Sequence, residues 1–177
     1  MRKVIITYGL IAGAIVVVLM YLTMPIGKEN GNYDLGMVLG YVSMIAALSM
    51  IFFGVKAFRD KYLDGSITFG KALLTGLAIT LVAGIVYCIG WEIYYNTVAP
   101  DFMTDYTNFY IEKMKDEGAS QAEIDEMTAS MDAMAENYKN PVVRFGMTLL
   151  EIFPVGLVIS LVCAALFRSK NFLPAAD

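Results

Sequence analysis

Histidine is absent from the 177-residue chain, and with it go the commonest general base and the commonest protein metal ligand. Cysteine is nearly absent: Cys88 and Cys163 are the only two. Both fall inside apolar runs and the connectors hold none, so there is no disulfide framework and both read as buried small hydrophobes. Charge is scarce as well, at 17% of residues against 58% hydrophobic, with a mean hydropathy of +0.60. That balance excludes an ordinary soluble domain, whose apolar share sits near half. Ser43, Ser49, Thr75 and Thr80 have no base paired with them, so an intramembrane hydrolase lacks its nucleophile and base. The expectation is a protein that is not an enzyme and uses no cofactor or metal.

What is present is long apolar runs. A helix needs about 20 mostly apolar residues to cross a hydrocarbon core roughly 30 Å thick, and residues 4–24, 35–55, 72–95 and 145–167 each supply one. The first follows Arg2 and Lys3, as a signal peptide would. Its run is longer than the usual h-region of about 7–15 residues, however, and TMPIGKEN offers no small-x-small cleavage site, so it reads as a retained span. The expected fold is all-α, a single membrane domain over 1–177 with four transmembrane helices.

Arg2, Lys3, Lys56, Arg59, Lys61, Lys71, Arg168 and Lys170 fall on one side of these spans, and Lys28, Lys113, Lys115, Lys139 and Arg144 on the other. The first group crowds against span ends, whereas most of the second is spread along a long acidic connector. Lys and Arg close to span ends are retained in the cytoplasm, which makes this a multi-pass protein of a cytoplasmic membrane with both termini inside. KAFRDKYLDGSITFGKA, residues 56–72, is then an inside hairpin. Asp64-Gly65 supplies its turn, and Ser66 or Thr68 caps the third span. Beside fixing topology, Lys56, Arg59, Lys61 and Lys71 are candidate contacts for anionic lipid headgroups or a partner's acidic segment.

Residues 101–139 read as an extracytoplasmic amphipathic helical hairpin between transmembrane helices 3 and 4. Phe102, Tyr106 and Phe109 share one helix face, Gly118 ends that helix, and Ser120-Gln121-Ala122-Glu123 fits a capping box. Ile124, Met127, Met131, Met134 and Tyr138 follow at spacings of three and four, and Pro141 closes the segment. The methionine stripe suits packing on the aromatic face or on headgroups better than a soft-metal site, since thioether ligands normally come with Cys or His. The acidic outer face reads as solvated surface, with a basic protein partner as the alternative. Nothing points to nucleic acid.

Glu92 and Glu151 are the ionisable residues inside the predicted spans, and each costs on the order of 2.5–3.5 kcal/mol at mid-membrane on insertion scales. Glu92 sits in WEIYYN near the outer end of the third span. Glu151 is six residues inside the fourth, with Arg144 two turns back and Thr148 between. Pro154 frees the carbonyl of Leu150 close by. Glu92, Glu151, Arg144 and Thr148 therefore form a candidate intramembrane polar site, with Glu151 bonding to Arg144, Thr148 or a tyrosine and both glutamates lining one outer vestibule. Gly9-x-x-x-Gly13 and Gly36-x-x-x-Gly40 permit close helix approach, and each pair receives another helix from this chain or from a second copy in a homodimer.

The run GVKAFRDKYLDGSITFGKALLTG, then YCIGWEIYY, the APDF entry into the acidic connector and the closing FPVGLVISLVCAALFRSK resemble a bacterial family of small integral membrane proteins. That family, found mostly in Bacteroidota, is known as domain of unknown function 4199. The resemblance covers nearly the whole chain, with G-x-I-T-F-G at 65–70 its most specific part. It implies a four-span bacterial inner-membrane protein and transfers no activity and no catalytic residues. The function expected is that of a noncatalytic structural, regulatory or partner-binding membrane component, with lipids as its standing partners. The alternative is a small proton- or cation-coupled carrier using Glu151 and Glu92.

Overall fold

The computed structural model describes residues 1–29 and 32–174; Asp177, to which the expectation for the C-terminus refers, lies outside them. Among the described residues seven helices follow one another: α1 (Arg2–Glu29), α2 (Tyr33–Leu48), α3 (Met50–Tyr62), α4 (Phe69–Thr97), α5 (Phe102–Asp116), α6 (Gln121–Tyr138) and α7 (Pro141–Phe167). No strand occurs among the described residues. Four stretches of the described residues are long and apolar enough to cross a membrane: Arg2–Gly27, Tyr33–Tyr62, Phe69–Thr97 and Pro141–Phe167. Each outruns the apolar segment read from sequence, because hydropathy falls at the first charges while a helix continues to its cap. Thr68 accepts from the Lys71 amide at the start of α4, and Asn140 accepts from the Val142 amide, with Pro141 in the first turn of α7.

The second crossing keeps helical backbone at Ser49 (φ −57°, ψ −20°), but its hydrogen-bond ladder is interrupted there, where the sequence predicts one unbroken helix. Ser49 separates α2 from α3, its hydroxyl donating to the Ala46 carbonyl at 2.7 Å. Local side-chain bonds of this kind compete with the helix ladder and bend it. Helix α3 then runs on to Tyr62, so Lys56, Arg59 and Lys61 lie on a helix and the expected 56–72 hairpin contracts to a turn at 63–68. Asp64 and Gly65 make that turn with φ of 49° and 74°.

Helix α4 is the centre of the bundle, packing on α7, α1 and α3. Small residues set the approach. A Cβ on Gly156 of α7 would sit 2.1 Å from Cγ2 of Thr80 on α4, closer than any side chain fits. A Cβ on Gly9 or Gly13 would stand 2.6 or 2.5 Å from the Cβ of Val82 or Val86, so this first glycine pair receives α4 of the same chain. A Cβ on Gly36 would stand 3.6 Å from the Cα of Gly27 on α1, an ordinary contact, and Gly40 has open space beside it. Of the two destinations the sequence left open, α4 of this chain takes the Gly9 pair, and a second copy has no room at it.

Helices α5 and α6 form an antiparallel pair joined at Gly118 (φ 79°) and opened by the capping box: the Glu123 carboxylate accepts from the Ser120 amide at 2.8 Å, and the Ser120 hydroxyl accepts from the Glu123 amide. The aromatic face of α5 lies on the bundle. The Tyr33 ring at the start of α2 is 6.1, 5.7 and 5.4 Å from those of Phe102, Tyr106 and Phe109, and Phe102 meets Trp91 edge-on at 5.1 Å. Two polar ties add to this packing, Tyr110 and Lys113 both donating to Asp34, at 3.0 and 2.6 Å.

Candidate functional site

Two adjoining features occupy the end of the bundle under α5 and α6. The first is an ion pair. Arg144, in the first turns of α7, donates from Nε to Glu92 Oε1 at 2.7 Å and from Nη2 to Oε2 at 2.5 Å, a two-pronged contact with α4. Its remaining nitrogen donates to the Tyr138 carbonyl at 2.9 Å, and its guanidinium stacks 4.2 Å from the Tyr95 ring. Arg144 is buried, and each of the three nitrogens of its planar fork has a protein acceptor. Thr148, one turn on, donates to the Arg144 carbonyl at 2.9 Å. Tyr138 completes the cluster by accepting from Trp91 Nε1 at 2.7 Å. Burial pushes the Tyr138 hydroxyl up to about 12, and the charge of Glu151 adds to the shift.

The second feature is a cavity of about 250 Å³ between α1, α2, α4 and α7, roofed by α5 and α6. Tyr87, Trp91 and Tyr94 line it from α4, Met20 and Met44 from α1 and α2, Tyr106 and Tyr138 from the roof, and Glu151 from α7. Glu151 stands ten residues into α7, about 15 Å along the axis and deeper than the apolar run alone suggests. Its accessible surface is large, and it lines this cavity. No hydrogen bond or ion pair reaches its carboxylate among the described residues.

Of the four residues grouped from sequence, the structure joins Glu92, Arg144 and Thr148 in one network and leaves Glu151 apart. The vestibule lined by both glutamates is therefore corrected. Glu92 turns to Arg144 rather than to the cavity, since a cross-helix bidentate contact is closer than the two turns, about 10 Å, that separate Arg144 from Glu151 along α7.

The opposite end holds a correction of the same kind. Arg59 is fully buried and no surface contact: it donates to the carbonyls of Phe172, at 2.7 Å, and Leu173, bonds Asp60 at 2.6 Å and stacks 5.1 Å from the Phe167 ring. Lys56 pairs with Asp60, while Lys61 and Lys71 remain exposed. Sequence reasoning missed this clasp on residues 172–173, and it missed the cavity wall. A signal for the wall existed: Tyr87, Trp91 and Tyr94 recur at spacings of four and three on one face of α4.

Four long apolar helices, a bidentate ion pair beside a roofed cavity at one end and the Arg59 cluster at the other define the class, a multi-pass helical membrane protein. The chain belongs to the family described as Protein of unknown function (DUF4199), whose model matches residues 7–169. No curated protein and no solved structure matches it.

Proposed function

We propose that this protein is a noncatalytic component of the bacterial cytoplasmic membrane that binds at the roofed end of its bundle and does not carry what it binds across. The observation that supports this reading is the floor beneath the cavity. There α4 and α7 meet at Gly156 on Thr80 and at Gly76 on Ser160, where even an added methyl group would collide. Thr80 and Thr75 spend their hydroxyls on carbonyls of their own helix, Gly76 and Lys71. The hydroxyl of Ser160 is enclosed without a partner among the described residues, so no chain of polar groups continues inward.

Orientation belongs to the same proposal. Arg59 ties the end of α3 to residues 172–173, which puts the 63–68 turn and the C-terminal segment at one end of the bundle with Arg2, Lys3, Lys61 and Lys71. That cationic end is cytoplasmic and contacts anionic lipid, and the roofed end faces outward. A basic partner at the acidic hairpin remains part of the proposal.

One observation favours the carrier alternative, the unpaired carboxylate of Glu151. Proton or cation flux into vesicles separates the two readings. Vesicles holding the wild type and Glu151→Gln are expected to leak at the rate of protein-free vesicles. A wild-type flux that Glu151→Gln abolishes would establish the carrier.

A further inference from the structure

We infer that the cavity under α5 and α6 is a binding site for a small organic monocation, an amine or quaternary ammonium with an apolar body. This rests on the binding reading above and names the chemistry of what is bound. The charge balance of the wall comes first. Glu151 offers a carboxylate that no described residue neutralises. Among the described residues that line the cavity none is Lys or Arg, and the neighbouring Arg144 is held by Glu92, Tyr138 and Tyr95. A carboxylate in an apolar setting is stabilised by a proton or by a counter-charge, and a cation entering this space supplies the second. An anion would be repelled, and a neutral molecule would leave the carboxylate as it stands.

The remaining wall selects among cations. A divalent metal ion calls for six to eight oxygen ligands, or for His and Cys. The described residues hold no cluster of three such side chains. Instead the wall presents the aromatic side chains Tyr87, Trp91, Tyr94 and Tyr138, together with thioethers. Aromatic faces attract alkylammonium groups through their quadrupoles, and more strongly once water is excluded. A volume of about 250 Å³ admits a body the size of a substituted benzene.

Trp91 is the only tryptophan of the chain and lines the cavity, so its fluorescence reports occupancy. The test titrates the intact protein in nanodiscs with benzyltrimethylammonium and with neopentylbenzene, its uncharged isostere. The expected result is a saturable change in Trp91 emission with the cation, at least tenfold weaker with the isostere. Glu151→Gln is expected to weaken the cation at least tenfold, to leave the isostere unchanged and to keep the wild-type melting temperature. Equal binding of cation and isostere by the wild type would overturn the proposal whether or not the variant folds. So would an unchanged affinity in Glu151→Gln, or no saturable signal. Discs of phosphatidylglycerol and of phosphatidylethanolamine distinguish the source: competition in the latter assigns the site to a lipid amine, and equal affinity assigns it to a solute. Either keeps the monocation. Flux with intact cation selectivity would remove the binding-only reading and leave this one standing.

Discussion

At the scale of single residues, the sequence marks its unusual members by rarity and leaves their partners unmarked. Glu92, Arg144 and Glu151 stand out because charge is scarce in the spans; that Arg144 joins Glu92, 52 positions away, depends on how α4 and α7 cross. Spacing along one helix suggested Glu151 as the partner, and the shorter cross-helix contact won. The pair fixes a definite prediction. Removing one member of a buried, hydrogen-bonded ion pair leaves the other uncompensated, at a cost of about 3–5 kcal/mol. Arg144→Ala should fall at the low end, about 3 kcal/mol, since Glu92 keeps some exposure to water. It also frees the Tyr138 carbonyl and uncovers Tyr95. The double variant Glu92→Gln with Arg144→Ala should lose less than the sum of the two single losses, because the second change removes the stranded charge. Thermal midpoints of the four proteins in one detergent check this, and strictly additive losses would mean that the pair does not couple α4 to α7.

At the scale of elements, legibility follows locality. The capping box of α6 and the Asp64-Gly65 turn were readable because all their partners lie within four residues. The break at Ser49 was not, since serine without proline or glycine carries no strong stop signal, whereas Pro25 and Pro154 both lie inside continuous helices. The packing of α5 on Tyr33 was half readable: the aromatic face was visible, its destination was not. The capping box also sets how the roof responds to pH. Hydrogen bonds from the Ser120 hydroxyl and amide hold the Glu123 carboxyl below its usual range. A carboxylate with a depressed folded pKa contributes stability in full above its unfolded pKa and loses it as the pH falls through the folded value. Acidification through the lower carboxylate range should therefore loosen the first turn of α6. Amide exchange over residues 121–126, corrected for the intrinsic rate, is expected to rise there in the wild type. Ser120→Ala, which keeps the amide bond to Glu123 but lacks those of the hydroxyl, should show faster exchange at neutral pH and a smaller further change on acidification. An equal acid response in both proteins would show that another group drives it.

At the scale of the whole molecule, the legible part is the count and order of the long helices, because burial in hydrocarbon demands a length that composition alone reveals. The cavity was not legible, since it is a gap left where α1, α2, α4 and α7 diverge beneath the roof, and gaps have no sequence. Orientation lies between these cases: it is read from charges near the span ends, and the structure adds that Arg59 gathers the 63–68 turn and residues 172–173 at one end. If that end faces the cytoplasm, the roof at Ala119 and the turn beside Lys61 lie on opposite sides of the membrane. Ala119 is partly exposed and Lys61 is exposed, while Cys88 and Cys163 are buried, so the wild type serves as an unreactive blank. An impermeant maleimide added to intact cells should label Ala119→Cys and spare Lys61→Cys until the membrane is opened. The reverse pattern would turn the molecule over and make the cavity accessible from the cytoplasm, so that any cation held near Glu151 would come from the cell's own amines rather than from its surroundings.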